Sequence, residues 1–354
     1  MMKIKQLQIE NLRVIQTLTL EPGNGINFIC GPNGAGKTSV LEAIYLLGQG
    51  KSFRHAEAGP FIRNGETSCL VVAETDDRLA RSSRLGIQRG RKSFLARHGG
   101  IDIRRRSELL RLLPVQIITP QSHELLERGP ELRRRYLDFG LFHVEQSYHQ
   151  VLMSYQRGIK QRNAALRSGN GRLAISFDEQ LAGVSETIVR LRRGILETIE
   201  SNLARFMQEM SFPNEVKLQF SPGWKEDVSL EKALKGHLER DLAQGYTSVG
   251  PHRAELKILV GGRRAEKYLS RGQQKVLVYG LVLSLSQLIV EKEKEPPVLL
   301  IDDLGAELDT LNRTRIVDYL SGREEQVFIT SVDQPANIHD RDNAVFHVEH
   351  GCLQ

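Results

Sequence analysis

Cysteine, tryptophan and aromatic side chains are scarce in this chain: three Cys, one Trp and 6% Phe, Trp and Tyr among 354 residues. Cys30, Cys69 and Cys352 are too few and too scattered for a disulfide framework or a zinc site. Such usage fits a reducing cytosol, so a cytoplasmic location is expected. The opening Met1-Met2-Lys3-Ile4-Lys5-Gln6 has no apolar signal-peptide core. Long hydrophobic runs are missing too. The most apolar stretch, Val276 to Val290, has 15 residues and includes Tyr, Ser and Gln. It is too short to span a bilayer and reads as a buried helix. Internal repeats and low-complexity segments are absent. Neither sign of charge dominates: the net charge is +6 and the isoelectric point about 9.2, a mild lean toward a polyanionic partner. With 40% hydrophobic and 26% charged residues, the chain has an ordinary soluble composition. Its length can bury one large core or two smaller ones.

Against these absences stands one dense motif. Residues 31–38 read Gly-Pro-Asn-Gly-Ala-Gly-Lys-Thr, directly after the apolar run Ile26-Asn27-Phe28-Ile29-Cys30 and directly before a helical pattern. Strand, glycine loop and helix in that order give G-x-x-x-x-G-K-[ST] its meaning as a phosphate-cradling loop. Gly31, Gly34 and Gly36 permit backbone angles that a side chain forbids. The N–H groups of residues 31–38 (Gly31, Asn33, Gly34, Ala35, Gly36, Lys37 and Thr38, with Pro32 contributing none) then curl around phosphate oxygens at the positive end of the next helix. Lys37 is expected on the β- and γ-phosphates of ATP, and the Thr38 hydroxyl on Mg²⁺.

The first 60 residues read as α/β. Leu7 and Ile9, then Leu18 and Leu20, alternate as in strands, and Thr38 to Leu47 has helical spacing with Gly48 and Gly50 suited to its stop. Residues 66–118 read as short strands and turns ending in Val115-Gln116-Ile117-Ile118. After Pro120, apolar residues recur at spacings of three and four over 141–159 and again over 181–203, with the loop-like Arg167-Ser168-Gly169-Asn170-Gly171 between. Two amphipathic helices, able to pack as an antiparallel hairpin, are predicted, neither long enough for an extended coiled-coil arm. Strand character returns at Val216 to Phe220 and at Leu256, Ile258 and Val260, with Gly261-Gly262 as a hairpin turn. Val298-Leu299-Leu300-Ile301 is a continuous apolar strand, the mark of a sheet covered on both faces. A helix over 309–320 and strands over 326–331 and 344–348 complete the pattern.

Asp302-Asp303 follows the apolar strand 298–301. A P-loop ATPase places its magnesium-organising carboxylate at such a strand end, and the second acid is placed to orient or deprotonate an attacking water. In Leu269-Ser270-Arg271-Gly272-Gln273-Gln274-Lys275, Ser270 can cap the apolar helix and Gly272 lets a phosphate come close to the backbone. That makes a second anion site 233 residues after Lys37 (270 minus 37). A head-to-tail dimer has use for two such sites, with one ATP sandwiched between the glycine loop of one copy and the serine-capped helix of the other.

These segments carry a resemblance. Leu269 to Lys275 looks like the ABC signature with Arg at its third place, and Asp302-Asp303 with Glu307-Leu308-Asp309 looks like the Walker B and D-loop. Leu7 to Arg13 matches the SMC-type branch. Within that branch the chain resembles the RecF family of bacterial DNA replication and repair ATPases, on Gly31 to Thr38, Leu41 to Leu47 and Lys51-Ser52-Phe53-Arg54. Ile118-Thr119-Pro120, Arg133 to Asp138, Gly250-Pro251-His252-Arg253 and Leu269 to Lys275 continue it in order through nearly the whole chain. The resemblance implies an α/β ABC/SMC-type P-loop ATPase head, residues 1–118 plus 266–354, with a mainly helical domain inserted at 119–265. It implies a nucleotide site of residues 31–38, Gln121 as γ-phosphate sensor, and Ser270, Arg271, Gly272 and Gln273. Catalysis would rest on Lys37, Asp302 and Asp303, with Mg²⁺ on Thr38 and Asp302. Further implied are an ATP-driven homodimer on single-stranded and gapped DNA and its duplex borders, and slow DNA-dependent hydrolysis acting as a switch. So is joint work with RecO and RecR to load RecA in the SOS response. Where transporter ATPases place a His, the chain has Ser331-Val332-Asp333, and His339 lies past Pro335, a departure in keeping with slow turnover.

For DNA the basic run is the candidate. Arg78 to Arg106 holds ten Lys and Arg and one acid, Asp102. Arg104-Arg105-Arg106 at the end of this run and the separate Arg133-Arg134-Arg135 are the densest basic knots and the expected phosphate contacts. Only Phe94 and Tyr136 interleave, which favours backbone contact over base stacking. Two other readings stay open at this point: a transporter-type ATPase subunit, against which the long interval from Lys37 to Ser270 speaks, and a DNA clamp that binds ATP without meaningful hydrolysis.

Overall fold

The computed structural model describes residues 3–55, 57, 59–76, 82–293, 296–305, 308–333 and 342–354. Glu307 of the expected D-loop, Pro335 and His339, and Arg78 and Arg81 of the basic run lie outside the described residues. The chain forms two compact units, one of Met1–Ser122 with Ile289–Gln354, the other of His123–Leu288.

The first unit is built on a mostly parallel sheet. Its strand order is Cys352–Leu353, Ala344–Glu349, Ile26–Cys30, Val327–Ser331, Val298–Ile301 and Val115–Ile118. Val298–Ile301 is buried at every position, as its unbroken apolar run requires, and so is Ile26–Cys30, whose one polar residue, Asn27, donates to the carbonyls of Gly23, Gly25 and Val327. The register sets Ile301 beside Ile329 and Ile118, and Ser331 beside Cys30. The C-terminal ends of the three central strands therefore lie together, with Gly31 and Asp302 just past two of them and Thr330 within the third.

The helix Lys37–Gln49 packs its Val40, Leu41, Ile44 and Leu47 into the core beneath this sheet. Gly50 ends it at φ 63°, donating its N–H to Leu46 O at 2.7 Å. Gly48 does not stop the helix. A Cβ there would meet Val115 Cγ2 at 2.4 Å and Leu113 O at 2.5 Å, so its place is one of close backbone approach. A second, antiparallel sheet covers the same core, in the order Ile15–Leu20, Lys3–Leu12, Ser68–Asp76, Ser82–Gly90, Phe94–His98 and Ile101–Asp102. Leu7, Ile9, Val71, Ala73, Leu85 and Ile87 form its inner face.

The second unit is mainly helical. The single helix expected over 141–159 is two, Pro130–Val144 and Tyr148–Arg167. Glu145 accepts from the Ser147 N–H at 3.2 Å and from its hydroxyl at 2.7 Å, which breaks the backbone ladder. The apolar periodicity runs through the break because both helices feed one core. The long helix Asp178–Glu209 packs on Tyr148–Arg167 where Gly158 leaves room: a Cβ there would stand 2.9 Å from Leu181 Cδ2. Fully buried Arg162 bonds Asp178 and Asp241 at 2.8 Å each and Thr247 at 2.9 Å, a structural ion cluster. A three-stranded antiparallel sheet, Arg263–Arg264, Glu255–Val260 and Val216–Ser221, lies in the same unit, with the predicted hairpin turn at Gly261 and Gly262, φ 55° and 78°.

Gly250-Pro251-His252-Arg253 forms a tight turn that holds a neutral imidazole. His252 Nε2 donates to Thr247 O at 2.9 Å, so Nδ1 accepts from the Tyr155 hydroxyl at 2.5 Å. Burial pushes the His252 pKa down to about 4.

The apolar stretch after residue 270 is a longer helix than expected, Arg271–Glu293, of 23 residues. By length and composition it could cross a membrane, but its apolar window is 78% buried inside the protein. Leu285 packs on Gly140, Gly280 on Leu203, Phe206 and Met207, and Leu281 O accepts from the buried Tyr136 hydroxyl at 2.8 Å. These contacts tie residues 271–288 to the helical unit, which is why that unit runs to Leu288, past the boundary expected at 265.

Candidate nucleotide site

The glycine loop leaves the strand Ile26–Cys30 with Gly31 at φ 142°, Gly34 at 81° and Gly36 at 113°. Gly31 has no room for a side chain, since a Cβ would stand 2.1 Å from Val348 O. Gly36 precedes the helix Lys37–Gln49, so the loop N–H groups and the helix terminus address one space. Lys37 Nζ donates to Gly31 O at 2.7 Å and Pro32 O at 2.9 Å, folded over its own loop. Partial burial lowers its pKa, against the pull of Asp303 and Asp302.

The acid side of the site arrives on Val298–Ile301, separated from the loop-bearing strand by Val327–Ser331. Thr38 Oγ1 donates to Asp302 Oδ1 at 2.8 Å, across 264 residues of sequence. Thr330 Oγ1 donates to the same oxygen at 2.8 Å and accepts the Asp303 N–H at 2.8 Å. Asp303 sits at φ 56°, a left-handed conformation uncommon for a residue with a side chain. A cavity of about 410 Å³ gathers Asn33, Gly34, Gly36, Lys37, Thr38, Gln121, Asp302, Asp303 and Thr330 on its walls.

Arg13, Phe53 and Arg54 line the same cavity without having been expected there. Arg13 is held in a two-pronged pair with buried Glu42, at 2.9 and 3.1 Å, and donates to Pro60 O at 2.7 Å. Ser52 Oγ donates to Glu42 and accepts the Arg54 and His55 N–H groups at 3.0 and 3.1 Å. The only signal in the sequence was the family match at Leu7–Arg13 and Lys51–Arg54, which names no partner for Glu42.

In the helical unit, Ser270 caps the helix Arg271–Glu293. Its Oγ accepts the Gln273 N–H at 3.4 Å while Gln273 Oε1 accepts the Ser270 N–H at 3.0 Å, a reciprocal capping box. A Cβ on Gly272 would meet nothing within 4 Å, so the turn has open space beside it. Exposed Arg271 pairs with Glu127.

The two arginine knots differ. Arg104, Arg105 and Arg106 are exposed, and Arg106 Nε donates to Gln49 O. Arg133 must be taken out of the expected phosphate contacts. It is 5% exposed, paired with Glu255 at 2.8 and 3.0 Å, and donates to the carbonyls of Leu125, Leu126 and Arg128. Its charge is spent on capping the helix ahead of its own and on the strand Glu255–Val260. Arg134 donates to Ala254 O at 2.8 Å, and exposed Arg135 pairs with Glu131 one turn away.

A family model described as the RecF/RecN/SMC N terminal domain matches residues 3–354. The chain belongs to this family. Among curated members, the DNA replication and repair protein RecF of Thioalkalivibrio sulfidiphilus is 37% identical over 358 residues, covering 100% of this chain and 99% of its own. RecF of Aliivibrio salmonicida is 36% identical, covering 99% of both. A solved structure of the recombination mediator protein RecF with ATP, from the RecFOR pathway, superposes with a TM-score of 0.88 at 27% identity, covering 100% of this chain and 97% of that one. An Smc head domain from Pyrococcus furiosus, at 16% identity and a TM-score of 0.61, shares the fold. The α/β ABC/SMC-type ATPase head with a helical insertion is thus the fold of this RecF-like chain.

Proposed function

We propose that the chain is an ATP-switched DNA-binding protein of recombinational repair and replication restart. The observation that carries this is the Thr38–Asp302 bond of 2.8 Å. It joins a phosphate loop to a strand-end carboxylate in one pocket, in a chain alike over its whole length to RecF proteins solved with ATP. The loop N–H groups bind the phosphates, and Lys37 exchanges its two carbonyl partners for phosphate oxygens. Two hard oxygen donors facing each other, the Thr38 hydroxyl and the Asp302 carboxylate, suit Mg²⁺. When bound, Mg²⁺ neutralises charge that builds on the β- and γ-phosphate oxygens. Asp303 holds and deprotonates the attacking water, and Gln121 senses the γ-phosphate. Ser270, Arg271, Gly272 and Gln273 of a second copy close the site, so that ATP is the bond between two copies and its slow hydrolysis releases them.

DNA at single-strand gaps and their duplex borders is held through phosphates by the exposed Arg104, Arg105 and Arg106, with Arg134 and Arg135 as lesser contributors. RecO, RecR and RecA are the expected partners, RecA loading and SOS support the expected outcome, and the cytoplasm the expected place. The test is the molar mass of the purified chain by gel filtration with light scattering, with and without Mg-ATP, repeated on gapped DNA at two salt concentrations. A doubling of mass that needs ATP supports the reading. A chain that stays single at saturating ATP refutes the clasp.

A further inference from the structure

We propose that Thr330 is the positioning residue that sets both acids of the site, tying the carboxylate of Asp302 and the backbone of Asp303 to one hydroxyl. The proposal rests on reading the pocket as a magnesium–nucleotide site. Thr330 is the fourth residue of Val327–Ser331, a strand wedged between the one that carries the glycine loop and the one that carries the acids. It is 1% exposed, and its strand neighbours Val327, Phe328 and Ile329 are apolar and buried. Valine would fill the same volume and suit the strand as well. A hydroxyl in such a place costs free energy unless it is bonded.

Here both capacities of the hydroxyl are used, and both on the acids. Its proton goes to Asp302 Oδ1 at 2.8 Å, the same oxygen that takes the Thr38 proton. Its lone pair takes the Asp303 N–H at 2.8 Å, and the Thr330 carbonyl takes the Leu304 N–H at 3.2 Å. The backbone of 303–304 is thereby pinned at two points around the left-handed Asp303. Thr330 thus fixes the direction in which Asp302 presents its carboxylate and the place from which Asp303 reaches the pocket. The adjoining Ser331-Val332-Asp333 contains no histidine that could make such a link instead.

The test compares the wild-type chain with Thr330→Val and Thr330→Ser. Binding of a fluorescent ATP analogue is titrated with Mg²⁺ and in EDTA, beside single-turnover hydrolysis and thermal melting. Thr330→Val should require about 10-fold or more Mg²⁺ for half-maximal enhancement of binding and should hydrolyse about 10- to 100-fold more slowly, the usual cost of losing an outer partner of a metal ligand. Thr330→Ser, which keeps the hydroxyl, should restore both to near wild type. If Thr330→Val fails to fold, Thr330→Ala replaces it with the same expectation. A wild-type Mg²⁺ titration in a folded hydroxyl-free variant overturns the assignment, as does a serine variant that behaves like valine. Wild-type protein that binds no nucleotide at all overturns the nucleotide reading itself, a distinct result.

Discussion

Lys37, bonded to two carbonyls of its own loop, would trade them for phosphate oxygens, and a bond with both partners ionised is stronger than one to a neutral carbonyl. Lys37→Met should therefore weaken nucleotide binding by about 10-fold or more and abolish ATP-dependent association, because a charged hydrogen bond of about 1.5–3 kcal/mol is lost. Equilibrium binding and light scattering read both effects. Asp303→Asn should keep ATP binding and lower turnover by about 10²–10⁴, the range for a general base. Unchanged turnover, with DNA retention still dependent on ATP, would favour a clamp that does not need hydrolysis. A third residue governs stability. His252 has a pKa of about 4 when folded, against 6.5 for the free side chain, so below pH 6.5 the unfolded chain takes up a proton that the folded chain refuses. Stability should fall as pH drops from 6.5 toward 4, by about 2 kcal/mol at pH 5 from this group alone. Urea unfolding at pH 7 and pH 5 should show that slope, and His252→Asn should lack it. At this scale the contiguous motif 31–38 was legible because its chemistry needs neighbouring backbone N–H groups. Thr330 and Glu42 were not, since one looks like an ordinary strand residue, the other like an ordinary helix residue, and their partners lie far away in sequence.

Among the elements, continuous apolar runs were the most readable, because a strand buried on both faces leaves no other pattern. The strand Val298–Ile301 stands where its run put it, and Ile26–Cys30 stands where it was expected although buried Asn27 interrupts its apolar residues. The break at Glu145–Ser147 was hidden, because a side chain that caps across a turn leaves the spacing of apolar residues intact. Gly48 misled in a different way. Near a helix end glycine reads as a stop, yet here it lets the helix lie against Leu113 and Val115. Gly48→Ala should lower stability by about 1–3 kcal/mol, as overpacking does, despite the better helix propensity of alanine. Denaturant unfolding measures the loss, and a gain in stability would mean that the helix can shift freely.

For the molecule as a whole, a net charge of +6 is modest, so DNA affinity must come from local clusters more than from total charge. Arg104→Glu with Arg105→Glu should weaken binding to gapped DNA. The slope of log K against log salt should shrink by about 1.4–1.8, from about 0.7–0.9 for each phosphate contact removed. A double variant with an unchanged slope would move the DNA elsewhere. Ser270→Arg should leave ATP binding by one copy intact and block association, since the bulk falls on the turn beside Gly272. The family was legible from motifs strung through the whole length, but the extent of each unit was not: apolar residues of the helix Arg271–Glu293 carry no label for the partner they pack on.

Ile118, Ile301 and Ile329 stand abreast in the parallel sheet. Side chains alternate between the two faces of a strand, so deleting a single residue from 298–301 would turn the carboxylate of Asp302 away and shift it by about 3.3 Å. Lengthening the surface loops leaves that frame untouched. Natural insertions and deletions in relatives should therefore crowd into the connections and spare these short strands, whose reading frame cannot slip without dissolving the chemistry it aligns.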